Sequence, residues 1–192
     1  MESMDIVLNY FSKSSFITIF VLSWLSLYFI MSFTILFSRM TGLGALQRKE
    51  QNALESLLMG AKNLPRDSFF KKFISNGITK EKLHIALNLA ERRSTSGLVW
   101  LGIIASTSPF IGLFGTVVSI LETFSNLGSS ANTSLNVIAP AISEALIATG
   151  AGIFVAIPAY TFNLLIKRKA YELIGVLQRQ ADVIFGIKDE IG

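Results

Sequence analysis

Cysteine is absent from the 192 residues. No disulfide frame, thiolate metal site or cysteine nucleophile can therefore be built. Histidine occurs once, as His84, which excludes a multi-histidine metal centre. Charge is scarce: Asp, Glu, Lys and Arg make up 16% of the chain, against about 25% in soluble globular domains. Apolar residues reach 51%. This balance excludes a disordered chain and a domain with an ordinary charged surface. Enzyme signatures are also missing. There is no GxxxxGK(S/T), GxSxG or HExxH, and no GxGxxG after a strand. The sequence thus predicts no enzyme, no cofactor and no metal.

What charge there is lies in blocks. No charged residue occurs from Ser14 to Ser38, from Ser94 to Leu121, or from Ala145 to Ile166. A bilayer core takes about 20 apolar residues as a helix, so each run can span. Each must be helical, because lipid offers its backbone no hydrogen bonds. The first run is too long for a signal-peptide core, and its flank, with Glu2, Asp5 and Lys13, is not basic. It reads as an uncleaved span.

Lys and Arg number one in residues 1–13, eleven in 39–93, none in 122–144 and five in 167–192. The positive-inside rule places the two basic segments in the cytoplasm. The expected layout follows. Residues 1–13 are an outer N-terminus, 14–38 the first span and 39–93 a cytoplasmic helical loop. Residues 94–121 are the second span, 122–137 an outer connection and 138–166 the third span. Residues 167–192 form a cytoplasmic C-terminal helix. The net charge of +4 is then a topology signal. The loop mixes its bases with Glu50, Glu55, Asp67, Glu81 and Glu91, unlike a one-sign nucleic-acid footprint.

Within the loop, Ala45, Leu46, Ala53, Leu54, Leu57 and Leu58 recur at helical spacing and predict a helix over 45–60. Pro65 ends that unit or begins the next, and Asn76-Gly77 signals a turn. Thr79 is a candidate N-cap for a helix burying Leu83, Ala86, Leu87 and Ala90. No proline separates it from the second span, so one helix from about 80 to 107 is expected. His84 reads as a surface or packing residue. Residues 129–134 form a short polar loop.

The spans differ in kind. The first is bulky, with Phe16, Phe20, Leu22 and Trp24, and suits lipid. The other two are rich in small and hydroxyl residues, which let helices approach closely and bond across. Ser108, Gly112, Thr116 and Ser119 step by four, four and three, one helical stripe that should face protein or water. Ala141, Ala145, Ala148 and Gly152 form a small-residue packing stripe on the third span. Glu144 is the one acid beside them. It is either an intramembrane carboxylate, which usually marks an ion path, or an interfacial one reached by water. Lys167 lies about 34 Å away along a straight helix, longer than the ~30 Å core, so both placements fit.

The run Ser108-Pro109-Phe110-Ile111-Gly112-Leu113-Phe114-Gly115-Thr116-Val117-Val118 resembles the second-span signature of the TolQ/ExbB (MotA/TolQ/ExbB) proton-channel family. So does Ala139-Pro140-Ala141-Ile142-Ser143-Glu144-Ala145-Leu146-Ile147-Ala148-Thr149, continuing through Gly152 to Ala159. The resemblance implies an all-α, three-span subunit of the bacterial inner membrane with long cytoplasmic helices. It implies a ring-shaped homo-oligomer, a pentamer, around a dimer of a single-span ExbD/TolR-type partner. It implies that proton motive force is turned into work on a periplasm-spanning TonB- or TolA-like protein. Nutrient uptake (ExbB-like) and envelope maintenance (TolQ-like) both remain open. The family's pore threonines fall on Thr116 and Thr149, and its intramembrane glutamate on Glu144. Ser108, Gly112 and Ser119 would continue the pore-lining stripe. A flagellar-stator-type ring is disfavoured by the span count. The competing reading is a passive scaffold that stabilises a single-span partner.

Overall fold

The computed structural model describes residues 16–61, 65, 68–74, 79–128 and 135–191. Every element among them is helical. They are α1 (Phe16–Leu58), α2 (Lys71–Ile74), α3 (Lys80–Ser94), α4 (Leu98–Gly128) and α5 (Leu135–Ile191). The expected Asn76-Gly77 turn and the 129–134 loop lie outside the described residues. Three stretches are helical, long and apolar enough to cross a membrane: Phe16–Leu58, Lys80–Ser125 and Ile138–Gly186. The described residues are thus all-helical, with three candidate membrane-spanning helices.

Helix length exceeds the bilayer. At 1.5 Å per residue, the 43 residues of α1 and 57 of α5 run about 65 and 85 Å, two to three times the core thickness. The expected 45–60 helix is therefore the continuation of α1. It stops where Gly60 adopts φ +92°, a left-handed conformation that costs a glycine little. There the amides of Gly60 and Ala61 bond back to the carbonyls of Leu57 and Ser56, which satisfies the helix end.

The expected single helix over 80–107 is corrected. It breaks between Ser94 and Leu98, where Gly97 has φ +88°. Thr95 caps α3, its amide donating to Glu91 O at 3.0 Å. Reading the absence of proline as continuity overlooked the glycine. Thr79 does stand at the N-cap of α3 with extended backbone, but its side chain makes no capping bond. Leu83, Ala86 and Ala90 are buried, Leu87 is half-buried and His84 is exposed. Both helices reach into the 122–137 segment, α4 as far as Gly128 and α5 from Leu135.

The residues cluster into two compact units. The apolar unit comprises the chain up to Thr34 with Trp100–Phe162. Its core is Val21, Leu25, Ile104, Ala148, Val155 and Ala159. Phe29 stacks on Phe154 and Phe33 meets Phe162 edge-on, tying α1 to α5. Large side chains such as Phe20, Leu27, Phe110 and Phe154 stay exposed, as expected of a surface facing lipid or other chains.

The charged unit comprises Ile35–Val99 with the chain from Asn163 onward. Leu43, Leu54 and Leu57 of α1, Leu83 and Ala86 of α3, and Ile166, Leu173 and Leu177 of α5 are buried in it. Arg39 Nη2 donates to Ser96 Oγ at 2.7 Å, and Asn163 Nδ2 to Leu98 O at 2.7 Å. On α5, beyond the apolar run ending at Ile166, Lys169 Nζ and Arg168 Nε donate to the Glu172 carboxylate at 3.1 and 3.0 Å. They hold its pKa below the ordinary 4.5. A lowered carboxyl pKa stabilises the fold above the ordinary value, and this is lost as pH falls through the lowered one. Carboxyl NMR should find Glu172 titrating below 4.5 and moving back up in Lys169→Met. An unmoved titration would disprove the assignment.

Candidate functional site

The apolar unit is organised by the crossing of α4 and α5. Gly112 and Gly152 face each other there. A Cβ on Gly112 would lie 2.5 Å from Ala148 O and 3.1 Å from Thr149 Cα. A Cβ on Gly152 would lie 2.5 Å from Ser108 O and 3.1 Å from Gly112 Cα. The obstructing atoms are backbone, so only glycine permits this approach. Ala145 and Ala148 are fully buried, while Ala141 is half-buried.

The stripe read from the second span enters this interface. Ser108 is fully buried, its Oγ donating to Ile104 O within its own helix at 2.6 Å. Gly112, Thr116 and Ser119 are buried as well. Of the two surroundings open to the stripe, protein or water, protein surrounds it within one chain.

Close approach brings Thr116 and Thr149 together. Their hydroxyls are hydrogen-bonded to each other across the helices. Thr116 Oγ1 also lies 3.0 Å from Ala145 O and 3.2 Å from Gly112 O. Thr149 Oγ1 lies 3.4 Å from Gly112 O. A hydroxyl has one proton and two lone pairs, so the bond between the pair can run in either direction. Thr149 can donate to Thr116, which then donates to Ala145 O. Alternatively Thr116 donates to Thr149, which then donates to Gly112 O. Exchange between them reorients both hydroxyls by rotation, each keeping its own proton, and buries no charge.

Glu144 precedes Ala145 on α5 and is half-buried. Its Oε1 is shielded from solvent and meets no hydrogen-bond donor among the described residues. No hydrogen bond joins it to either threonine among the described residues. Such an oxygen is costly in a low-dielectric setting and favours any partner able to donate. Among the described residues, no three metal-ligating side chains come together.

The sequence reading missed the part of α1. Val21 Cγ1 would lie 3.1 Å from a Cβ on Gly115, so α1 packs on the crossing rather than only facing lipid. Within the apolar unit, Thr18, Val21, Leu25 and Ser32 are the buried positions of α1. Two small polar residues on one helical stripe of a greasy span were the available signal.

The model of the MotA/TolQ/ExbB proton channel family matches residues 61–179, which include α4, α5 as far as residue 179 and the threonine pair. The chain belongs to this family. A Helicobacter pylori protein named ExbB-like 1, a biopolymer transport protein, is 45% identical over 94% of this chain and 97% of its own length. The Tol-Pal system protein TolQ of Pseudomonas aeruginosa is 38% identical over 52% of this chain and 43% of its own length. The biopolymer transport protein ExbB of Neisseria gonorrhoeae is 52% identical over 35% of this chain and 31% of its own length. Family membership and three spanning helices together make the chain a bacterial inner-membrane protein of proton-channel type.

Proposed function

We propose that the chain is the stator-type subunit of a proton-driven inner-membrane motor, in an ExbB-like role. The observation that carries this is the Thr116–Thr149 hydroxyl pair bridging two membrane-spanning helices, with Glu144 five residues before Thr149. The near full-length similarity to an ExbB-like protein favours that branch over the TolQ-like one. In this reading the subunits form a ring, a pentamer, around a single-span ExbD/TolR-type dimer. The charged unit lies in the cytoplasm with the C-terminus, and the N-terminus lies outside. Proton movement past Glu144, Thr149 and Thr116 biases the packing of the partner's helices, and a TonB-like protein is worked in turn. One charge crossing 100 mV releases about 2.3 kcal/mol, comparable to the gap between two packed states. No enzymatic step is involved.

The test is complementation of a strain lacking this subunit, read as energy-dependent nutrient uptake across the outer membrane. Thr149→Val keeps the shape and removes the hydroxyl, and Glu144→Ala removes the carboxyl. Each is expected to lower uptake at least about tenfold while the oligomer keeps its size. Retention of full uptake by both would overturn the proton path and favour the passive scaffold.

A further inference from the structure

The charged unit contains a cavity of about 320 Å³ between α1 and α3. Its lining includes the polar Ser38, Arg39, Arg93 and Ser94 and the apolar Leu43 and Phe69. Among the described residues, no carboxylate lines it. Along the sequence, Arg39 is the first charge after the 14–38 run and Arg93 the last before the 94–121 run. The two guanidiniums therefore close two apolar runs at the same end.

The arginines are held differently. Arg39 is oriented by Ser96 Oγ at 2.7 Å and by Arg93 O at 3.4 Å. Those bonds use two of its five N–H donors. The side chain of Arg93 is exposed and makes no hydrogen bond or ion pair among the described residues. Neither charge is neutralised by an acid there. A fixed fork, a free fork, two hydroxyls and an apolar wall suit one group: a phosphate monoanion attached to hydrocarbon.

We propose that this cavity holds the phosphate of an anionic phospholipid headgroup at the membrane surface. Basic pockets between spanning helices take such headgroups. A free phosphate would use the arginines and leave Leu43 and Phe69 uncovered, whereas a lipid's glycerol and first methylenes cover them. The proposal rests on the membrane-spanning reading and is independent of proton conduction, because its readout is binding.

The test uses the full chain in a neutral detergent, titrated with dioleoylphosphatidylglycerol or dioleoylphosphatidylcholine and read by native mass spectrometry. Phosphatidylglycerol should bind preferentially, and Arg93→Gln should weaken it about tenfold. Arg92→Gln removes an equal charge from a neighbouring position outside the cavity and should change binding less than about twofold. Millimolar inorganic phosphate should fail to displace the lipid. Equal losses in the two variants, no loss in Arg93→Gln, or displacement by inorganic phosphate would each overturn the proposal. Should Arg93→Gln not fold, Arg93→Lys keeps the charge without the fork. Weaker binding by it then supports the site, and unchanged binding overturns it.

Discussion

Gly112→Ala should destabilise the apolar unit by about 2 kcal/mol or more and break the Thr116–Thr149 bond. The methyl would sit 2.5 Å from the carbonyl oxygen of Ala148 and 3.2 Å from Gly152 Cα. Neither is the tip of a flexible side chain, so the helices themselves must separate. The threonine hydroxyls meet only because the backbones are this close. Gly152→Ala should act alike, through Ser108 O. Gly150→Ala is the control. No atom lies within 4 Å of its added Cβ, and alanine is the better helix former by about 1 kcal/mol. It should leave stability equal or slightly raised. Thermal unfolding in detergent separates the cases. Equal midpoints for Gly112→Ala and Gly150→Ala would show that the crossing is not limiting.

The second large effect is expected in the charged unit. Glu50 is fully buried there. Its Oε1 accepts from the Phe69 amide at 2.8 Å and its Oε2 from Ser68 Oγ at 3.0 Å. Gln180 Nε2 of α5 donates to the Glu50 backbone carbonyl. One residue of α1 thus clamps the segment before α2 and contacts α5, and the clamp seats Phe70 in the core. A buried hydrogen bond contributes about 0.5–1.5 kcal/mol net, and a stranded buried donor costs about 1–3 kcal/mol. Glu50→Ala removes two and strands the Phe69 amide, so a loss of about 3 kcal/mol is expected. The Ser68–Phe70 stretch should become protease-sensitive. Glu50→Gln keeps the shape and one acceptor, and should lose less. Exposed Glu55→Ala should stay within about 0.5 kcal/mol of the parent. If Glu50→Ala resists protease as the parent does, the clamp is not what orders that segment.

These two sites differ in how far the sequence reveals them. The glycine and alanine spacing of the second and third spans identifies packing faces, because close helix approach in lipid needs small side chains. It does not say which glycine faces which, since that depends on crossing angle and depth. Glu50 was readable only in part. It falls on the stripe formed by Leu43, Leu46, Ala53, Leu54 and Leu57, where a charge is out of place. Its donors, 18 and 19 residues away, follow no periodicity. Arg39 and Arg93 are 54 residues apart, and only the fold brings them to one cavity.

The sequence by itself determined three spanning helices, their hydroxyl and small-residue faces and the family. Each follows from local composition against the fixed thickness of a bilayer. Tertiary structure alone decided that the Ser108–Ser119 stripe is buried within one chain and that the two threonines share hydrogen bonds. It alone decided that α1 packs on the crossing and that a glycine breaks the chain at residue 97. Those facts depend on how backbones approach one another, which no single stretch of residues encodes.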